Sequence, residues 1–256
     1  MTPLPPEFLA RPLAHRGYHD VAAGRPENSC AAFEAAITSD YGIELDVQMS
    51  SDGHAIVFHD YDLDRLTSQT GPVRARNRAE LGTIPLNGGE ETIPDLAKVL
   101  TVVAGRTPLL IEIKDQDGAM GPDVGPLEQA VAAAVDGYQG PVGVMSFNPN
   151  GVRAFGTAAP DVPRGLVSAA FSAESWSSLP AAALADLRDM PLYDQIGATF
   201  ISHQVDDLDR PRVSELKAGG ATVICWTVRS AGQEAQARRI AHNITFEGYA
   251  ARSAGP

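Results

Sequence analysis

Residues 43–47 read Ile43-Glu44-Leu45-Asp46-Val47, and a later run, Leu110-Ile111-Glu112-Ile113-Lys114, has the same form. In an extended chain successive side chains point to opposite faces, so Glu44 and Asp46 share one face while Ile43, Leu45 and Val47 share the other. The second run likewise sets Glu112 and Lys114 on one face amid aliphatic neighbours. Charge in so apolar a setting is costly unless it is partnered, so the three carboxylates are expected to converge on something positive.

Outward from these runs, short β-rich apolar segments alternate with Ala/Leu-rich stretches of helical spacing, the pattern of βα units with buried parallel strands. Strands are predicted at 12–16, 43–48, 109–114, 142–147, 164–168, 199–203, 222–228 and 243–247. Helices are predicted at 30–39, 94–104, 127–137, 149–157, 180–188, 212–218 and 232–241, several of them opening on Ser, Asn, Asp or Pro. Eight strands with intervening helices predict an α/β fold, a (β/α)8 barrel. Segment 51–92 is too long for a βα loop and contains an extra apolar run, 55–59, so it reads as an insertion above the barrel's C-terminal face. No linker, charge block or internal repeat divides the 256 residues, and a single domain over 1–256 is expected.

With 32 acidic against 20 basic residues the formal charge is −12, which disfavours nucleic acid and anionic membrane surfaces as partners. A small phosphate-containing molecule can still bind if a cation helps. Cys30 and Cys225 have neither disulfide-framework nor zinc-ligand spacing, and reduced, buried thiols are expected. The first twelve residues contain no apolar leader core, and no run approaches the roughly 18 uncharged apolar residues of a membrane span, so the cytoplasm is the expected location.

Oxygen-only ligation by Glu44, Asp46 and Glu112 suits a hard divalent cation, Mg²⁺ or Ca²⁺. The alternative is structural ion pairing, for instance of Glu112 with Lys114 or Arg16, and spacing does not choose between them. His15 and His59 each end a predicted strand and can face the same barrel mouth, a pair suited to moving protons near neutral pH. The planar fork of Arg16 suits two phosphate oxygens. His19, His54 and His242 are read as structural. Phe147 and Trp226, at strand ends, are candidates for an apolar wall or for plain core packing.

The segments Ala14-His15-Arg16-Gly17, Pro26-Glu27-Asn28-Ser29, Glu44-Leu45-Asp46-Val47, Asp52-Gly53, His59-Asp60, Leu63-Asp64-Arg65 and Ile111-Glu112-Ile113-Lys114 resemble, in order and spacing, the glycerophosphodiester phosphodiesterase family. Ser146-Phe147-Asn148-Pro149 and Cys225-Trp226-Thr227-Val228 are weaker echoes. The resemblance implies hydrolysis of glycerophosphodiesters to glycerol 3-phosphate and an alcohol, with His15 and His59 as acid and base and Glu44, Asp46 and Glu112 on one divalent cation. It also implies Arg16 and Lys114 as phosphate ligands, with Glu27 and Asn28 completing or orienting the site. The nucleophile stays open between water and the substrate's own hydroxyl. Two departures stand out: Ser29 replaces the usual Thr, and Glu247 stands near a usual Asp, which leaves its role open. Rival readings are a lysophospholipase D- or sphingomyelinase D-like enzyme, and a silent barrel that only holds a polyol phosphate. The insertion, rich in Arg74, Arg76, Asn77, Arg78 and Gly88, reads as polar and favours a soluble small-molecule substrate.

Overall fold

The computed structural model describes residues 2–252. Eight strands run parallel in chain order: β1 (Leu13–Ala14), β2 (Gly42–Met49), β4 (Leu109–Ile113), β5 (Val142–Ser146), β6 (Arg164–Ser168), β7 (Phe200–Gln204), β8 (Thr222–Val228) and β9 (Asn243–Phe246). Leu13 and Ala14 pair with Thr245 and Phe246 on one side and with Gly42 and Ile43 on the other, so β1 closes the sheet into a barrel. A ninth strand, β3 (Ala55–Val57), runs antiparallel to the end of β2 and stands outside the closed ring. The expected (β/α)8 barrel is therefore the fold.

Alternation along each strand divides two cores. Ile43, Leu45, Val47, Leu109, Ile111 and Ile113 point outward onto helices, among them Cys30–Thr38 and Leu96–Val103, where Phe33, Leu96 and Val99 meet them. Leu13, Leu110, Met145, Val167, Phe200 and Ile224 point inward and fill the barrel, as the layered interior of this fold requires. Gly165 lies directly against the Phe200 ring, and a β-carbon there would collide with it, so the large residue of one stave is accommodated by the small residue of the next. Leu4 and Phe8 close the bottom of the same cluster, and Asn243 Nδ2 ties that segment down by donating to the carbonyls of Phe8 and Arg11, each at 2.6 Å.

Predicted helix ends shift by at most four residues and strand ends by at most two. The short helix Glu7–Ala10 was not anticipated, because one turn ending at Ala10 leaves no periodicity to read. The insertion folds around its own apolar cluster of Ile56, Phe58, Leu63, Val73, Leu81, Ile84, Leu86 and Ile93, beneath a polar exterior. No helix among the described residues is long and apolar enough to cross a membrane. Cys225 is buried, which pushes its thiol up to about 12, whereas Cys30 is only half-buried, a correction to the expectation for that thiol.

Because Phe200 is fully enclosed in the barrel interior, Phe200→Ala should lower unfolding free energy by about 3–5 kcal/mol in urea titrations; a loss below ~1 kcal/mol would contradict this packing.

Candidate active site

The site begins where β1 ends. After Ala14 the chain turns sharply, with Arg16 at φ 56° and Gly17 at φ 79°. Left-handed backbone is costly for an arginine, about 1–3 kcal/mol, and persists where the surroundings over-determine it. Here the turn lets the Arg16 amide donate to Glu44 Oε2 at 2.9 Å. Gly17 cannot be replaced freely, since a β-carbon would come within 2.9 Å of Ala32 Cβ and the Phe33 ring. The Pro26-Glu27-Asn28-Ser29 segment packs across this turn. Ser29 Oγ caps helix Cys30–Thr38 by accepting from the Ala32 amide, so the hydroxyl shared by Ser and Thr is what this position uses. Asn28, at φ 57°, donates Nδ2 to Asp46 Oδ2 at 3.0 Å and accepts from the Asp46 amide at 3.3 Å. Glu27 Oε1 accepts from Arg16 NH1 at 2.7 Å.

Beneath the turn, Asp46 on β2 is directly across from Glu112 on β4, and Glu44 lies two residues earlier on the same inward face. All three carboxylates are buried, and each offers an oxygen within 4.8 Å of the others. Lys114 Nζ bridges two of them, 2.6 Å from Glu112 Oε1 and 2.8 Å from Asp46 Oδ1. The second contact is electrostatic, because Asp46 Oδ1 has no well-aligned hydrogen-bond donor. Burial, reinforced by the like charges of Asp46 and Glu112, pushes the Glu44 carboxyl well above the usual carboxylate range. Burial also opposes ionisation of Asp46, but Lys114, His59, Arg16 and His15 outweigh it and hold its carboxyl well below that range. Burial works against the Lys114 ammonium too, yet Asp46 and Glu112 raise it above its ordinary value.

The cluster therefore holds three carboxylates against two cations, Lys114 and Arg16, and Glu44 has no cationic side chain in hydrogen-bonding contact. An underbalanced, oxygen-only set with a poorly satisfied Asp46 oxygen fits a small hard divalent cation.

Two imidazoles flank this cluster. His15 Nδ1 lies 2.5 Å from Glu247 Oε2, and His59 Nδ1 lies 2.6 Å from Asp60 Oδ1. An ionised carboxylate only accepts, so each Nδ1 carries the proton and each Nε2 is left as the exchangeable nitrogen. Burial lowers the His15 pKa below its ordinary value even though Glu247 pulls the other way. Arg65, from the insertion, forks between Asp60 and Glu27 and so ties the His59 side of the site to the Arg16 side.

His15, Arg16, Glu44, His59, Glu112 and Lys114 line a cleft of about 500 Å³. Phe147, Trp176 and Trp226 line the same cleft as one aromatic cluster. Phe147 and Trp226 meet edge to face at 5.6 Å, and Trp176 stacks obliquely on Phe147 at 5.2 Å. A register shift in β8 between Cys225 and Val228 marks a local bulge at Trp226, the kind of irregularity that re-aims a side chain. Trp226 sits two residues inside β8 rather than at its end.

All eleven singled-out residues gather at this one mouth, with Asp46, Glu27 and Asn28 just behind the lining. His15 and His59 lie one and two residues beyond their strands rather than within them. Glu112 does pair with Lys114, as the structural reading of that carboxylate expects, while it also belongs to the carboxylate triad. Of the histidines read as structural, His242 accepts from the Val223 amide at 2.9 Å, but His19 Nε2 lies 3.8 Å from Glu247, at the edge of the site. Sequence reasoning assigned no part to Asp60, Arg65, Arg229 or Trp176. Asp60 and Arg65 both lie in segments that carry the family resemblance, and Asp60 also adjoins a candidate histidine; the contacts of Arg65 were not readable from spacing, because its partners are 5 and 38 residues away.

The glycerophosphoryl diester phosphodiesterase family model matches residues 15–244. The Bacillus subtilis protein YhdW is 27% identical over 228 residues, covering 85% of this chain and 86% of its own. A glycerophosphodiester phosphodiesterase of Caldanaerobacter subterraneus is 32% identical over 174 residues, 64% of this chain and 69% of that protein. A phosphodiesterase of Oleispira antarctica, solved with sn-glycerol-3-phosphate, superposes with a TM-score of 0.75 at 22% identity, covering 95% of this chain and 93% of that one, and so supports the fold. With the family model spanning nearly the whole barrel, the chain belongs to the glycerophosphoryl diester phosphodiesterase family.

Proposed function

We propose that the protein hydrolyses glycerophosphodiesters to glycerol 3-phosphate and an alcohol, using one divalent cation, Mg²⁺ or Ca²⁺, held by Glu44, Asp46 and Glu112. The observation that carries this reading is the convergence, at one barrel mouth, of an underbalanced carboxylate triad, two cationic side chains and two carboxylate-backed imidazoles. The product bound in the Oleispira antarctica relative supports the same substrate class.

When bound, the cation offsets the charge of the phosphodiester and the charge that grows on its oxygens during transfer. Arg16 and Lys114 hold the phosphoryl oxygens, Arg16 through its planar fork and Lys114 as a point charge. Charge favours this assembly: Lys114 meets only two of the three carboxylates and Arg16 is shared between Asp46 and Glu27, so the cluster stays net negative until a divalent ion offsets it. One of His15 and His59 takes the proton of the attacking hydroxyl through Nε2. The other donates a proton to the departing alcohol oxygen as its bond to phosphorus breaks. Phe147 and Trp226 form an apolar wall against the organic groups and keep bulk water from that side.

In assays of glycerol phosphate release from glycerophosphocholine with Mg²⁺, His15→Ala and His59→Ala should each lower kcat on the order of 10²- to 10⁴-fold while leaving thermal melting intact. Near-wild-type turnover in either variant would remove that histidine from the mechanism.

Glu44 gives a second prediction, in stability. A carboxyl whose folded pKa is raised binds its proton more tightly folded than unfolded. Its contribution is therefore fully present at low pH and declines as pH rises past the ordinary value of 4.5. In chelator at neutral pH, Glu44→Gln should melt higher than wild type. With Mg²⁺ or Ca²⁺ at 100 times Kd the order should reverse, because wild type gains about 2.7 kcal/mol and the variant little. Equal ion-dependent shifts in both proteins would place the cation elsewhere.

A further inference from the structure

We propose that Glu247, itself held by Arg229, is the positioning residue that fixes the His15 ring for proton transfer, an inference that rests on the acid/base role given to His15 above. Glu247 is the first residue after β9, and its amide donates to Val228 O at 3.0 Å, which anchors it at the end of β8. Its two carboxylate oxygens are divided between partners. Oε2 lies 2.5 Å from His15 Nδ1, while Oε1 accepts from Arg229 Nε at 2.8 Å and lies 2.6 Å from Arg229 NH2. Arg229 is the residue that follows β8, so the chain Arg229–Glu247–His15 runs across the ends of β8, β9 and β1, the seam where the barrel closes.

A carboxylate gripped on one oxygen by an arginine fork has little freedom to swing, and its other oxygen, which His19 Nε2 approaches only to 3.8 Å, fixes both the rotation and the tautomer of the His15 imidazole it meets at 2.5 Å. The proton is thereby kept on Nδ1, and Nε2 is presented to the cleft, 4.0 Å from Glu44 Oε2. The carboxylate also stabilises the imidazolium that forms when Nε2 takes up a proton, the part that the buried Asp plays in a Ser-His-Asp triad. Asp60 stands in the same relation to His59, and Arg65 to Asp60. The site thus carries two parallel Arg–carboxylate–His chains, one from the insertion and one from the closing seam. The same residue types also meet in Ser168, His203 and Asp207, but His203 there is wholly buried on the outer side of the barrel beside Ile201, where such a group has only a structural part.

The competing explanation for Glu247 is a clamp that merely holds the barrel seam together. The test is a double-mutant cycle in kcat for glycerol phosphate release with Mg²⁺, using Glu247→Ala, the isosteric Glu247→Gln, His15→Ala and the double variant. The positioning role predicts that Glu247→Ala lowers kcat on the order of 10²-fold with KM near wild type, that Glu247→Gln falls less because its amide oxygen still accepts, and that Glu247→Ala adds nothing once His15 is gone. A readout independent of turnover accompanies it: in ¹⁵N-histidine NMR, His15 should be the Nδ1–H tautomer in wild type and lose that preference in Glu247→Ala. Wild-type kcat in Glu247→Ala, an equal fall with and without His15, or an unchanged His15 tautomer would each overturn the proposal while leaving the mechanism standing. A fully active His15→Ala would overturn both.

Discussion

The mutual repulsion of Glu44, Asp46 and Glu112 is the constraint around which this molecule is arranged. Three carboxylates within 4.8 Å, all removed from bulk water, cannot persist without compensation, and the compensation available within the chain is incomplete. Lys114 answers Asp46 and Glu112, the Asn28 amide adds a donor to Asp46, and Glu44 is left with a backbone amide. That deficit links fold to function. A core selected only for stability would replace such a cluster with apolar side chains; here it is kept at the end of the barrel where this fold builds its sites.

The supporting structure follows from the need to hold those charges still. Parallel register between β2 and β4 sets Asp46 beside Glu112, and the left-handed turn at Arg16 brings a backbone donor over Glu44. Asn28, in another left-handed position, grips Asp46 by both its side chain and its amide. The insertion after β2 places His59 and Asp60 over the mouth, and Arg65 locks that arm to Glu27 and so to Arg16. These strained and charged pieces rest on an apolar scaffold, with one core inside the staves and another between staves and helices, so local strain at the site is absorbed by burial elsewhere.

Much of this was legible in the residue order, for a physical reason: strand alternation encodes orientation locally. Ile43-Glu44-Leu45-Asp46-Val47 specifies an apolar outer face and a charged inner one without any knowledge of the partner strand, and the Leu110–Lys114 run repeats it. What was not legible depends on groups far apart in sequence. Glu247 meets His15 across 232 residues, and Arg65 meets Glu27 across 38. The seal of the barrel floor by Leu4 and Phe8 depends on Asn243 fastening a segment with no periodicity of its own. Trp176 likewise joins the aromatic wall only because its loop folds back onto Phe147 and Phe171.

The cation reading of the carboxylate triad competes with a network of ion pairs closed by Lys114. The most direct test is a crystal structure grown with Mn²⁺, with anomalous difference density computed at the manganese edge. A single strong peak among Glu44, Asp46 and Glu112, with Lys114 drawn away from the position bridging Asp46 and Glu112, is the predicted result. Absence of a peak there at saturating Mn²⁺, with Lys114 still bridging the two carboxylates, would contradict the account.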